Sequence, residues 1–361
     1  MVKIMHAADF HLDSRFESLT PEKAKQRRAE QRESLKRVCD LANREQVQIV
    51  LLAGDLFDSD NAFFDTTRLL EDTFSKIDAQ IFIAPGNHDF YSPLSPYRAV
   101  KWPENVHIFR GTKIECVELP ELNARVYGAG FVSPSCEMPI LKDFVAVEDG
   151  MVNLMVLHGD TAAVTRNYNP VYITDIEKSG LDYLALGHVH SFSGIQYAGK
   201  TAWAYSGCIE GRGFDELGDK GVVIGNVDIE NTDLHFERIC LRRCEKINVD
   251  YNCVLNGEVK FSQEAREDIY KIVLTGERKE SLNLEAVKLA LEGKFWHYVL
   301  EDKTKEMRDI WAAARQDTLK GAFVRKLRVM YDSTGEKEKK ELIETATRYG
   351  IAALENEEVE V

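Results

Sequence analysis

The sequence has 361 residues, 44% of them hydrophobic, and a net charge of −14 from 60 acidic and 46 basic residues. That is enough apolar content for two domains, but the acidity excludes nucleic-acid binding through overall charge, so any such contact needs a local basic patch or bound cations. The seven cysteines are scattered without a C-x-x-C pair, which excludes a disulfide framework or structural zinc site and predicts a reducing cytoplasm. No apolar run is long enough to cross a membrane, and the chain opens on strand-like VKIM rather than on a signal peptide.

In chain order, residues 2–5 read as a strand that runs into His6, Asp9 and His11. Side chains two apart in an extended loop point the same way, so Asp9 and His11 can reach one ion. His6 is either a support for that pair or a core residue. Residues 21–43 read as a helix with Leu35, Val38 and Leu41 towards the core and the densest basic stretch of the chain elsewhere. That stretch is either a solvated face or a phosphate contact, with Arg27 and Arg28 as the candidate contacts. The unbroken apolar run 49–53 reads as a strand buried on both faces, and Gly54 and Asp55 follow at once. Asp55 thus lies just past the carboxyl end of a strand, where open α/β sheets place their chemistry. A helix over 66–77 and a strand over 80–84 come next, and the strand ends in Pro85-Gly86-Asn87-His88-Asp89.

From 105 the pattern is β-rich. Strand-like 152–157 runs into His158, and 182–186 into His188 and His190, again two apart. Strands over 201–207, 220–229 and 233–241 complete this half. Strands over 246–251, 268–275 and 296–301 around a helix at 284–292 read as a small α/β cap domain. Beyond 303 the pattern is helical: Leu319, Phe323, Leu327 and Met330 share one face, a turn falls at 333–335, and Leu342, Ala346, Tyr349 and Ala353 share another. This predicts a helical hairpin followed by a frayed acidic tail over 355–361.

Five strand-like runs therefore end in ligand-type residues, and five of the nine histidines lie there. His107, His235 and His297 read as structural. Asp9, His11, Asp55, Asn87, His158, His188 and His190 make seven donors, too many for one ion, which implies two divalent ions sharing a carboxylate. Nitrogen and oxygen donors without thiolate suit Mn²⁺, Fe²⁺ or Zn²⁺ better than Mg²⁺ or Ca²⁺. Two such ions about 3.5–4 Å apart serve in-line displacement at phosphorus. His88 is left over as a general acid for the leaving oxygen or a clamp on the phosphate.

The blocks D-F-H (9–11), G-D-L-F-D (54–58), G-N-H-D (86–89), H-G-D (158–160) and G-H-V-H (187–190), in this order, resemble the calcineurin-type metallophosphoesterase superfamily. The resemblance implies a four-layer αββα sandwich of the α/β class. It assigns the first ion to Asp9, His11, Asp55 and His190 and the second to Asp55, Asn87, His158 and His188, with Mn²⁺ ahead of Fe²⁺ or Zn²⁺. Within the superfamily, HAADFHLDS (6–14), LLAGDLFD (51–58), DYLALGHVH (182–190) and SGCIEGRGFDELGDKG (206–221) are most similar to the SbcD-like DNA-repair nucleases, nearest the YhaO-type branch. The last block resembles a loop that returns to the site and makes Arg212 a third candidate substrate contact. One departure is Asp58, where archaeal members carry a second site histidine.

The resemblance implies a nuclease domain over 1–244, a cap over 245–304 and a C-terminal helical region over 305–361. It further implies a DNA exonuclease acting in double-strand-break repair, an SbcC-like coiled-coil ATPase partner bound by the C-terminal helices, and a homodimer for which the sequence marks no face. Two other readings stay open: a phosphodiesterase acting on small nucleotides, and a catalytically weak regulatory or scaffold component of an ATPase complex.

Overall fold

The apolar runs become strands in the computed structural model, which describes residues 1–59, 63–162, 167–278, 281–307 and 309–355. Most of the predicted acidic tail lies outside the described residues. In chain order the first elements are β1 (Val2–Ala7), α1 (Pro21–Arg44), β2 (Ile49–Leu52), α2 (Phe64–Phe74), β3 (Gln80–Ile83) and β4 (Val106–Ile108). Then come β5 (Glu115–Leu119), β6 (Ala124–Gly128), β7 (Val152–His158), α3 (Ile173–Lys178), β8 (Tyr183–Gly187), β9 (Gln196–Ala198), β10 (Thr201–Tyr205), β11 (Gly221–Val227) and β12 (Thr232–Arg238). Helix α1 starts at Thr20, whose hydroxyl accepts the Lys23 amide, with Pro21 in the first turn where its missing N–H costs nothing.

Two six-stranded sheets form, in the orders β12-β11-β1-β2-β3-β4 and β5-β6-β7-β8-β10-β9. Burial on both faces explains why the runs carry no polar break. Val50 and Leu52 face α1 and α2 beside Leu35, Val38, Leu70 and Phe74. Ile49 and Leu51 face the second sheet, against Leu154, Val156, Tyr183 and Ala185. The far side of that sheet is covered by α3 and the loops before it, through Phe131, Leu141 and Ile176.

The register sets up the site. Parallel β1, β2 and β3 end level, with Ala7 beside Leu52 and Leu52 beside Ile83. In the second sheet His158 lies beside Gly187. The polar residues that follow all these strands thus emerge at one edge. The two sheets come so close there that a Cβ on Gly187 would collide with the Ala53 carbonyl. His6 ties the sheets as well. Its Nε2 donates to Leu186 O at 3.1 Å, and its Nδ1 accepts from the Tyr183 hydroxyl at 2.9 Å.

The remaining elements are β13 (Cys244–Asp250), α4 (Tyr251–Leu255), β14 (Ile269–Thr275), β15 (Glu277–Arg278), α5 (Leu284–Leu291), β16 (His297–Asp302), β17 (Lys305–Glu306), α6 (Leu319–Ser333) and α7 (Lys337–Glu355). β13, β14 and β16 form one sheet and β15 pairs with β17. The chain divides into one compact unit of Met1–Ile247, Phe261–Ile272 and Gly293–Leu300 and a second of Asn248–Lys260, Val273–Glu292 and Glu301–Val361. In the second unit α6 and α7 form the expected hairpin, but its buried positions are not the predicted ones. Val324 and Thr347 are buried, and Gly350 lets the Phe323 ring approach closely. Leu342, Ala346, Tyr349 and Ala353 all stay exposed. Small residues at 347 and 350 permit the close approach, which turns α7 about one residue away from its apolar stripe. Among the described residues no helix is long and apolar enough to cross a membrane.

Burial pushes the His6 pKa down to about 3, so the ring is neutral in the fold. Replacing it with leucine strands the Tyr183 hydroxyl and the Leu186 carbonyl. His6→Leu should therefore cost about 1–3 kcal/mol at neutral pH, read from denaturant midpoints. Because the folded pKa is depressed, the unfolded chain takes up the proton first. The wild type's advantage over His6→Leu should shrink as pH falls from about 6.5 towards 3, and a gap that widened instead would place His6 differently.

Candidate metal centre

The loops that leave the strand ends are tied to one another before any side chain is considered. Asp9 N donates to Gly54 O at 3.0 Å, His11 N to Asp55 O at 2.9 Å and Leu12 N to Leu56 O at 3.0 Å. The backbones of Asp9, His11, Asp55 and His188 all have positive φ, at 51°, 45°, 51° and 107°. Gly54, at φ 89°, turns the chain immediately before Asp55, and a Cβ there would lie 2.5 Å from His158 Nδ1. This left-handed stretch turns the donors inward together.

All seven predicted donors converge. His11 Nε2 lies 3.2 Å from His190 Nε2 and 3.8 Å from Asp55 Oδ2. His190 Nε2 lies 3.8 Å from Asp9 Oδ1. On the other side of Asp55, His158 Nε2 is 3.6 Å from Oδ2 of the same carboxylate. Asn87 Oδ1 is 2.9 Å from His158 Nε2 and 3.3 Å from His188 Nδ1. Asp55 is thus within 4 Å of histidines from both groups. Asp9, His11 and His190 form one cluster able to hold an ion, and Asp9, Asp55 and His158 another.

The proton positions show what the donors fit. His158 Nδ1 is 2.9 Å from the Ala53 carbonyl and must donate to it, which leaves Nε2 bare towards Asn87 Oδ1. His190 Nδ1 is 2.7 Å from Glu216 Oε1 and also donates, which leaves its Nε2 bare towards His11. Lone pair therefore faces lone pair at both places. A positive ion between them makes such an arrangement favourable, and the nitrogen–oxygen donor set is one that divalent transition metals accept.

Burial pushes the Asp9 carboxyl up, against the pull of His158 and His190. Burial acts the same way on Asp55, yet the surrounding imidazoles, His158 foremost, hold it below the usual carboxylate range. His188 is pushed down to about 4, first by burial and then by neighbouring His158.

His88 sits at the mouth and is exposed. Its backbone N donates to Asp55 Oδ1 at 3.0 Å, its Nδ1 is 3.1 Å from Asp58 O, and its ring centre is 4.8 Å from that of His11. With His11 and Asp58 it makes a third group of ligand-type side chains, at the outer rim of the seven donors. Asp89 is fully buried: its carboxylate accepts from the amides of Leu56, Phe57 and Gly86 and from the Tyr97 hydroxyl. It staples the loop of Asp55 to that of Asn87, and burial pushes its pKa up to about 6. Glu216 is the other support that the sequence reading left without a role. Burial opposes its charge, but His190 and Arg212 hold its carboxyl far below the usual range. Its only signal in the sequence was membership of the 206–221 block.

The basic helix corrects an expectation. Arg27 is fully buried, donating to Glu30 at 2.6 Å and to Glu210 and Gly211 O at 2.9 Å each, so it cannot meet a substrate. Lys23 donates to Trp296 O, Arg32 pairs with Asp13 and Lys36 with Glu33. Much of the helix's positive charge is thus used inside the protein. Arg28 is part-exposed and bonds Arg15 O at 3.3 Å. Arg212 does reach the edge of the site, with Asp58 and Glu216 on its guanidinium.

A double sheet with such a donor cluster at one strand edge defines a metal-dependent phosphoesterase. The family profile described as calcineurin-like phosphoesterase matches residues 2–192, and the chain belongs to that family. Over 334 residues it is 29% identical to the uncharacterized metallophosphoesterase YhaO of Bacillus subtilis (strain 168), covering 87% of this chain and 81% of that one. It is 26% identical over 302 residues to the SbcD nuclease of the SbcCD pair from Staphylococcus epidermidis, covering 73% and 76%. Hydrolysis of phosphoester bonds and the use of divalent metals follow from the family.

Arg27 and Arg28 should separate cleanly. Arg27→Met leaves Glu30 and Glu210 short of a cation in the interior and should destabilise the fold by about 3–5 kcal/mol in chemical denaturation. Arg28→Ala should change stability by less than about 0.5 kcal/mol. Equal, small effects would mean that the buried network does not hold the fold.

Proposed function

We propose that this chain is a two-metal-dependent DNA exonuclease, the nuclease component of a double-strand-break repair complex. Residues 1–244 form its nuclease domain, 245–304 a cap, and 305–361 the region that binds a coiled-coil ATPase. The observation that carries this reading is the meeting of seven nitrogen and oxygen donors with Asp55 in their midst, within 4 Å of His11 on one side and His158 on the other. Asp9, His11, Asp55 and His190 would hold one ion, and Asp55, Asn87, His158 and His188 the other. Manganese suits the set best, ahead of iron or zinc.

When bound, the ions supply a hydroxide at neutral pH and offset the charge that builds on the phosphate oxygens. The protein's own residues do the rest. The Ala53 carbonyl and Glu216 keep the bare nitrogens of His158 and His190 turned inward. Asp89 fixes the spacing of the two loops that bring Asp55 and Asn87. His88 donates from Nδ1 to the Asp58 carbonyl, which leaves Nε2 to carry a proton to the leaving oxygen. Arg28 remains the candidate for a phosphate contact on α1.

The likeness to the SbcD nuclease supports DNA as substrate and an SbcC-like ATPase as partner. The exposed apolar side chains of α6 and α7, among them Leu319 and Leu342, support a partner on that hairpin.

The test is degradation of linear double-stranded DNA with Mn²⁺, beside a generic ester such as bis-p-nitrophenyl phosphate. Both should be cleaved, and cleavage of the small ester alone would turn the reading towards small nucleotides. Asp55→Asn should reduce occupancy of both ions, so two retained ions in metal analysis would remove it as the bridge. His88→Ala should keep the ions and slow hydrolysis by roughly 10²–10⁴-fold, whereas an unchanged rate would leave it without a chemical role.

A further inference from the structure

Behind the imidazoles of His11 and His190 runs a continuous chain of charge. Arg212 Nη1 donates to Asp58 Oδ1 at 2.9 Å. Its Nε and Nη2 donate to Glu216 Oε1 at 3.2 and 3.0 Å, and its backbone N to Glu216 Oε2 at 2.7 Å. One guanidinium therefore joins two carboxylates. Each carboxylate faces the rear nitrogen of one imidazole: Glu216 Oε1 is 2.7 Å from His190 Nδ1, and Asp58 Oδ1 is 3.2 Å from His11 Nδ1. The second approach is not aligned as a hydrogen bond, but a carboxylate at that range still draws the proton to Nδ1. Both front nitrogens are then bare, and they lie 3.2 Å apart.

The arrangement leaves little for a substrate. A guanidinium grips a phosphate by presenting a free pair of parallel N–H groups, and here Nε and Nη2 already share one carboxylate oxygen while Nη1 is on another. The loop is also held from behind. Arg27 donates to Gly211 O, and Lys220 Nζ donates to His190 O, both at 2.9 Å.

We propose that Asp58, Arg212 and Glu216 act as one positioning bridge that sets the tautomers of both His11 and His190 and thereby the affinity of the ion they share, with Arg212 as the coupling residue rather than a substrate contact. The proposal rests on the metal-nuclease reading above. It adds that one of the two ions is tuned separately from the other, because the bridge touches neither Asn87, His158 nor His188. It also gives Asp58 a use as a carboxylate that an imidazole at that position could not serve, since an imidazole cannot pair with Arg212 and polarise His11 at once.

The experiment is a Mn²⁺ titration of the full chain by calorimetry, with the visible spectrum of the Co²⁺ form as a second readout. The variants are Arg212→Gln, Arg212→Lys, Asp58→Asn and the double Asp58→Asn/Arg212→Gln. Arg212→Gln should weaken one ion by roughly 10–100-fold, the usual effect of losing such a support, and should alter the Co²⁺ spectrum. The other ion should bind as before, which shows that the variant is folded. Arg212→Lys, which keeps the charge but not the fork, should fall between. The double variant should lose no more than the worse single one, because the residues act as a unit. KM for DNA at saturating Mn²⁺ should not move.

Unchanged Mn²⁺ affinity with a raised KM in Arg212→Gln would overturn the bridge and make Arg212 a substrate contact. Additive losses in the double variant would overturn the coupling. A wild-type chain that binds no Mn²⁺ would sink the bridge together with the metal-nuclease reading, whereas bound metal without DNA cleavage would count against only the latter.

Discussion

Four of the proposed ligand residues, Asp9, His11, Asp55 and His188, hold a left-handed backbone that residues with side chains seldom adopt. Each such residue costs of order 1–3 kcal/mol unless its surroundings leave no alternative. Here they leave none. The first two loops are bonded to each other residue by residue past the ends of β1 and β2, and His188 N donates to the Asp9 carboxylate at 3.2 Å. The level ends of β1, β2 and β3 and the pairing of His158 with Gly187 bring these loops together in the first place. The site is therefore a property of two sheets, and no single loop could sustain it.

What separates a ligand histidine from a structural one is the use of its second nitrogen. His6 spends both nitrogens inside the protein, on Leu186 O and Tyr183 Oη, so it has nothing to offer an ion. His158 and His190 each spend only Nδ1. Their partners differ, a carbonyl in one case and a charged carboxylate in the other, so the two imidazoles are not equally basic. The two halves of the donor cluster are chemically unlike even though their first ring of donors is similar.

The strands and their ligand-bearing ends were readable because burial on both faces leaves an unbroken apolar run, and a polar residue directly after one is conspicuous. Arg27 was not readable in that way. Its partner Glu210 lies 183 positions away, and helical spacing cannot tell a surface arginine from one that meets a distant carboxylate. The stripe of Leu342, Ala346, Tyr349 and Ala353 failed for another reason. A repeat of 3.6 marks an apolar face but not whether anything covers it, and close packing at Thr347 and Gly350 decided the rotation of α7. Asp89 and Glu216 were visible only as letters in longer blocks, since the amides and imidazole they serve come from other loops. Short α4 and the two-residue strands β15 and β17 carry too few residues to show a period.

The proposed donors come from both sheets: Asp9, His11, Asp55 and Asn87 from the edge of one, His158, His188 and His190 from the other. An ion held among them would be a mechanical joint, fastening two slabs that otherwise meet through apolar contact and a few hydrogen bonds. Its binding free energy would then belong to the cohesion of the sandwich as much as to the chemistry, since anything that binds only the native arrangement stabilises it. A substitution deep between the sheets, far from any donor, would be felt first as a loosened grip on metal and only later as unfolding.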